Sequence, residues 1–426
     1  MTGVIHLVNR DHRSLTLIDT ALHKTTDIGP DEAYIRSLVA HEATHLLDLY
    51  TTAWGIEYVY RKNLAYKNSE TKNADDSLRV FMLNTSEIES HTELMGKKKI
   101  DRLTDSTHIT HALHFDENHG PIIKINYMVG NSIVYEVPLT MLSVLEAHAT
   151  ANEYLSRLND SKSHKGHLVE AQRIERQFFE LLNNPELSEY SILLFVLHKH
   201  FEEWLELENI LRLASAIATL TLDASSIFCA KFGARIKDSF MNKEFGYDLC
   251  ADLSRGMSRQ TIFFKIALWL YSWINNLDEK EKQKYIGGLR ANPAKGLNEF
   301  LKLIDIKNIA ADFEYGATLQ ELEKIAKDSD HSYAKELFDK NKSIMEERCL
   351  GDCLNDVHLP SILLDDDSEA SPRLKLNHNQ IETVYNNIDP YVEMEKIYRE
   401  TIHYKFCPPL GFGIHFFNKN QSPVRL

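Results

Sequence analysis

A nearly continuous helical pattern begins at residue 139 and constrains the fold of this 426-residue chain more than any other feature. The segment "LTMLSVLEAHATANEYLSRL" opens it, and the pattern predicts further helical segments near 167–184, 187–221, 258–276 and 318–346. Glycine is scarce there, while Leu, Glu and Lys are common, as is typical of helices that pack on one another. The sequence therefore predicts a predominantly helical body.

Two regions before the helical run have the composition of β-strands. Within the first 30 residues, "VIHLV" and "SLTLID" flank a polar turn. Around 106–137, "THITHALHF", "IIKINYMV" and "SIVYEV" are rich in strand-forming residues, and the Gly-Asn pair of "VGNS" is typical of a hairpin turn. With the helices, these strands predict an α+β protein that is mostly α-helical and contains a small sheet.

Polar segments suggest where the chain divides. The run "NDSKSHKGH" (159–167) favours a boundary, and "LDDDSEASPRLKLNHN" (364–379) has the composition of a loop. We therefore predict three parts: a first unit over 1–160, which holds the candidate functional site, a helical region over 161–347, and a segment over 348–426 that packs on the body.

Charge and hydropathy limit the expected partners. The chain carries 62 Asp and Glu against 48 Lys and Arg, for a formal charge of -14, which disfavours nucleic acid or an anionic membrane as partner. The start, "MTGVIHLVNRDHRSL", lacks the pattern of a secretory signal, and the most apolar windows (261–274 and 210–230) are typical of buried core helices. We expect a cytoplasmic protein, and the oligomeric state stays open.

The cysteine count is five, an odd number that favours free thiols or metal ligands over a disulfide framework. The segments "CLGDCLNDVH" and "HYKFCPP" group cysteines with histidines, which leaves a structural zinc site conceivable, although buried free thiols are the favoured interpretation. The grouped residues are Cys349, Cys353, His358, His403 and Cys407.

The stretch "HEATHLLDLY" (41–50) has the spacing of a hydrolytic metal site. On a helix, His41 and His45 share one face and can direct their imidazole nitrogens at one point, with Glu42 beside it. A zinc ion held there lowers the pKa of water, Glu42 can accept the proton, and the proton can pass to a leaving amine. The alternative is that both histidines are hydrogen-bonded core residues.

Together, "HEATH" and "LEAHATANE" make the chain resemble gluzincin-type zinc metallopeptidases over about its first 160 residues. "HEATHLLDLYTTAWG" also looks like a pattern of uncharacterised bacterial proteins in which a Thr and then a Gly follow the HExxH. In this chain these residues are Thr52 and Gly55. The resemblance implies a zincin-like unit, Zn²⁺ as cofactor, and a peptide or protein substrate. It also implies that Glu146, on a second helix among small residues, joins His41 and His45 as a ligand, with Glu42 as the general base.

Other residues compete for the third ligand position. The histidines of "HITHALH" (108–114) cannot all converge from a strand, because the second of them faces the opposite side from the other two. His148 lies two residues from Glu146 on a different helical face, which favours a role on the substrate side or behind a ligand. For His91 the sequence offers no geometric argument.

The metzincin pattern is absent, because it asks for Gly and then His or Asp at positions where this chain has Asp48 and Thr51. Asp48 lies one turn after His45, and we expect its carboxylate to orient a histidine, as metal-binding imidazoles commonly require.

Two further functional hypotheses stay open. The first is a helical interaction module with a zincin-like core that has lost catalysis. The second is a bacterial effector or defence protease that stays silent until a partner opens its cleft.

Overall fold

The computed structural model describes residues 91–306 apart from short gaps, together with scattered positions between 37 and 58, residue 323 and five short strands beyond 361. The short gaps fall at 97–98, 107, 117–119, 163–165 and 255. Several predicted features lie outside the described residues: the strands of the first 30 residues, Glu42, nearly all of the helix predicted over 318–346, and the segment with Cys349, Cys353, His358 and Cys407.

The residues that the structure describes between 37 and 58 belong to two helical segments. The described helical residues between 37 and 51 form α1, and those at 53–55 and 58 form α2. A bend at Thr52 separates them, where the Thr52 hydroxyl accepts a hydrogen bond from the Gly55 N–H at 2.9 Å. This is the contact of a helix N-cap, so Thr52 begins α2 in a new direction.

A three-stranded antiparallel sheet follows the short helix α3 (His91–Leu94), and its strands run in the order β1-β2-β3. The Gly-Asn pair between β2 and β3 forms a two-residue hairpin turn, with Gly130 at a φ of 57°, as the sequence predicted. The three strands are β1 (His108–Asp116), β2 (Gly120–Val129) and β3 (Ser132–Pro138). Later strands form one pair and one three-stranded sheet: β4 (Ile362–Leu363), β5 (Glu369–Ala370), β6 (His403–Lys405), β7 (His415–Phe417) and β8 (Pro423–Val424).

Nine helices follow the hairpin within 141–303, and the predominantly helical α+β class is confirmed. The predicted segment 187–221 is two helices rather than one, since the chain turns between residues 202 and 206. The helices are α4 (Met141–Ser161), α5 (His167–Asn183), α6 (Ser188–Phe201), α7 (Leu207–Leu222), α8 (Ser226–Ile236), α9 (Lys243–Ser254), α10 (Gln260–Asn275), α11 (Glu279–Ala291) and α12 (Pro293–Leu303).

Helix α4 is the central helix of the body. It begins with a capping box, in which Thr140 and Ser143 bond each other's backbone N–H, and most of its residues are buried. It packs against α5, α6, α7 and α10. Because it is enclosed on nearly all sides, polar side chains on α4 lie inside the protein and need partners there.

One apolar cluster extends from Trp54 through the sheet and α4–α12 to Ile306. It includes residues on both sides of the polar run 159–167, where the rings of Tyr154 and Phe178 lie 5.1 Å apart. The division into 1–160, 161–347 and 348–426 stays a prediction. Within the described residues, no single helix is long and apolar enough to span a membrane. The required length and hydropathy are reached only by α7 together with Ile227–Ser239, and a bend of 109° separates these two segments.

Two glycines should respond oppositely to alanine. A Cβ on Gly246 of α9 would lie 2.1 Å from the backbone oxygen of Lys237, so Gly246→Ala should lower the free energy of unfolding by about 2–3 kcal/mol. Gly287 lies inside α11 with open space around it, so Gly287→Ala should raise that energy by about 0.5–1 kcal/mol. Denaturant unfolding of both variants checks this, and equal effects would contradict the packing of α9.

Candidate metal centre

The first two predicted ligands lie one helical turn apart on α1. His41 and His45 both have helical backbone, so their side chains leave the same face of the helix. The side chain of His45 is 3% exposed and that of His41 is 12% exposed. The pair is therefore nearly enclosed, and His41 forms its more accessible side.

Glu146, on the second turn of α4, brings a carboxylate to both imidazoles. Its Oε2 lies 3.2 Å from Nε2 of His45 and 3.4 Å from Nε2 of His41, and the two Nε2 atoms are 3.2 Å apart. Within the described part of the chain, this is the one group of three or more His, Cys, Asp or Glu residues whose ligand atoms converge in this way. The structure thus brings together the three residues that the sequence predicted as ligands.

The spacing of these three atoms fits a zinc ion. Tetrahedral zinc with Zn–N and Zn–O distances of about 2.0–2.2 Å separates neighbouring donors by about 3.3–3.5 Å. The observed separations, 3.2, 3.2 and 3.4 Å, are close to these values. Two imidazoles and one carboxylate are also a donor set found in catalytic zinc sites. The residues present therefore fit the ion.

Electrostatics favour a positive charge at the point where the donors meet. Burial alone would lower the pKa of His41, but its hydrogen bonds to Glu146 and Glu153 raise that pKa to about 10. Burial alone would raise the pKa of Glu146, but the charges and hydrogen bonds of His45 and His41 hold it well below its usual range. Without a metal, the imidazole of His41 is protonated, because it lies between the carboxylates of Glu146 and Glu153. A metal ion that binds at its Nε2 must displace the proton there.

Glu153 is a member of the site that the sequence did not identify. Its Oε2 lies 3.2 Å from Nδ1 of His41, on the ring nitrogen opposite the one that faces Glu146. A carboxylate at this distance from the outer nitrogen can form an ion pair with a protonated His41. Glu153 follows Glu146 by seven residues, about two helical turns, and that spacing is the signal that could have identified it.

Asp48 does orient a histidine, as expected, but the partner is His148 rather than a ligand. Nδ1 of His148 lies 2.9 Å and 3.0 Å from the two carboxylate oxygens of Asp48, and both side chains are 1% exposed. His148 is thus buried against Asp48. The pair lies close in sequence to two ligands, three residues after His45 and two after Glu146.

The other candidate histidines do not join the ligand group. His91 is buried, with Nδ1 2.9 Å from the Thr140 hydroxyl, and burial lowers its pKa to about 4, against the opposing effect of the Glu146 charge. On β1, His108, His111 and His114 are exposed, and His111 packs edge-on against Phe264 of α10. None of these four belongs to the converging set.

Two side chains of α6 lie beside the centre. The ring of Tyr190 lies 6.1 Å from the ring of His41, centroid to centroid, and is half-buried. The pKa of its neighbour Glu189 is raised by burial and also by the charges of Glu146 and Glu186. The sequence named no group that stabilises a transition state, and Tyr190 is a phenol placed beside the ligands.

The other residues that the sequence predicted for metal binding or catalysis are only partly described. The predicted base, Glu42, lies outside the described residues. The thiol of Cys229 is buried and lies 4.0 Å from the carbonyl oxygen of Ala224, and Cys250 is half-buried. His403 lies in β6, and its predicted partners are not described.

The chain matches no protein-family model, no curated protein and no solved structure. Function is therefore inferred from the residues of the site and from the chemistry that they can perform.

Proposed function

We propose that the chain is a zinc-dependent hydrolase, most concretely a metallopeptidase of the gluzincin type that acts on a peptide or protein. The observation that carries the proposal is the convergence of Nε2 of His41, Nε2 of His45 and Oε2 of Glu146 at separations of 3.2–3.4 Å. A zinc ion bound there would supply Lewis-acid chemistry, polarising a carbonyl and making water acidic near neutral pH.

Each residue of the centre has a separate role in this proposal. His41 and His45 offer neutral nitrogens when zinc is bound, Glu146 offers an anionic oxygen, and Glu153 places a second carboxylate 3.2 Å from the outer nitrogen of His41. Glu42, next to His41 in the sequence, is the general base that takes a proton from water and delivers it to the leaving amine.

The number of ligands favours catalysis over a purely structural role. Structural zinc sites close the ion with four protein ligands, whereas catalytic sites use three and keep one position open. Among the described residues the converging group has three members. His41 is the most exposed of them, so we place the open position on its side.

The experiment compares zinc-loaded and chelator-treated full-length protein on a peptide mixture, an unstructured protein and cell lysate. New termini, detected by mass spectrometry, should appear with the loaded protein, vanish after chelation and return with zinc. His45→Ala is the control that should stay inactive under all conditions. Cleavage of a single protein in lysate alone would favour the partner-activated effector. A loaded protein that cleaves nothing in any mixture would contradict the hydrolase and favour the interaction module.

A further inference from the structure

Asp48 and His148 form a buried pair that joins α1 to α4 beside the metal centre. Both oxygens of Asp48 lie within 3.0 Å of Nδ1 of His148, so this nitrogen donates and the ring is held in one orientation. Nε2 of His148 is buried and has no hydrogen-bond partner among the described residues. The pair makes no direct contact with the three ligand atoms that the structure places together.

The pair and the ligands connect the same two helices from different sides. Glu146 and His148 leave α4 about 200° apart, because successive helical residues are rotated by about 100°. Both nevertheless reach α1, Glu146 at His45 and His148 at Asp48. The small, buried Ala147 lies between them in sequence. Turning α4 about its axis would move one of these contacts away from α1 and press the other against it, so the two contacts together resist rotation.

An apolar pair could hold the helices together as well, but less specifically. A buried charged or hydrogen-bonded pair typically adds little stability over well-packed apolar residues, because both groups lose their hydration. Its directional geometry, however, permits one relative position of the helices. A metal centre needs such precision, because its donors must be held to within about 0.5 Å.

We propose that Asp48 and His148 are positioning residues, which set the rotation and spacing of α1 and α4 and thereby the affinity of the centre for zinc. The inference rests on the metal centre proposed above. The pair holds His45 and Glu146 at metal-binding separation before the ion arrives, so that binding does not have to order the two helices.

The test measures zinc affinity of the full-length chain by competition with a chromophoric chelator, beside the free energy of unfolding of the metal-free protein. His148→Leu removes the hydrogen bond to Asp48 and fills the space with an apolar side chain. It should weaken zinc binding by roughly 10- to 100-fold. His148→Asn places an amide N–H near the position of Nδ1 and should restore most of that loss. Asp48→Asn keeps the shape and should weaken binding several-fold.

The control is Leu297→Ala, which removes a buried side chain from α12 and leaves a cavity there. Helix α12 packs on α7 and α11. The substitution should lower the free energy of unfolding by about 2–5 kcal/mol and leave zinc affinity unchanged. If the pair only stabilised the fold, zinc affinity would fall in proportion to the free energy of unfolding in every variant, including Leu297→Ala. That result would overturn the positioning role. So would unchanged affinity in folded His148→Leu, or in Asp48→Asn if His148→Leu does not fold. Wild-type protein without zinc affinity would instead overturn the metal centre itself, and the inference with it.

Discussion

Glu146→Gln is expected to reduce zinc affinity by roughly a hundredfold or more while the chain stays folded. Structural zinc sites in zinc-finger peptides bind their ion with a total of about 10–16 kcal/mol, and by that scale the loss of one anionic ligand among three removes several kcal/mol. Glutamine keeps the shape of the side chain but not the negative charge that draws a cation to the Nε2 atoms of His41 and His45. Chelator competition on purified, folded variants measures the change.

The matched control for this charge change is Glu208→Gln. Glu208 pairs with Lys162 at 2.8 Å and Arg212 at 3.0 Å, and Lys162 is the C-cap of α4, at the opposite end of that helix from Glu146. Its replacement alters the net charge equally and should leave zinc affinity unchanged. Equal affinity in Glu146→Gln and wild type would show that this carboxylate is an ordinary buried partner of two histidines.

Glu42→Gln is expected to keep zinc and the fold but to lose hydrolysis by roughly 10²- to 10⁴-fold. A general base contributes roughly 10²- to 10⁴-fold, and glutamine cannot accept the proton. His45→Ala should instead lose both zinc and hydrolysis. Peptide cleavage by zinc-loaded protein, measured beside metal content, separates the two effects.

Hydrolysis retained by Glu42→Gln would remove Glu42 from the base role while leaving the metal centre in place. Biological activity retained by a Glu42→Gln protein that no longer hydrolyses would favour the interaction module over the enzyme.

Local patterns predicted much of the fold. The helical run from 139, the strands around 106–137 and the Gly-Asn hairpin follow from propensity and spacing, which depend on near neighbours. Helical spacing likewise accounts for the contact between His198 and Glu202, which are four residues apart, with 3.1 Å between Nδ1 and Oε2. The break between α6 and α7 was missed because no glycine or proline marks it; Leu205 is buried there instead.

Spacing within one helix predicted the histidine pair of the site, and the resemblance to gluzincin-type peptidases predicted Glu146 as their partner. His41 and His45 are four residues apart, and their shared face follows from helical geometry. The contacts of Glu153 with His41 and of Asp48 with His148 depend on how α1 crosses α4, about a hundred residues later in the chain. No local pattern encodes that crossing, so the structure was needed to show which partner each residue contacts, although the spacing from Glu146 places Glu153 on the same face of α4.

The metal content of purified full-length protein tests the central claim most directly. Plasma mass spectrometry on wild type, His45→Ala and Glu146→Ala, each checked for folding, should give about one zinc per chain in wild type and a sharp loss in both variants. No zinc in wild type even after reconstitution, with the fold intact, would contradict the metal centre and leave "HEATH" as part of a packed helix.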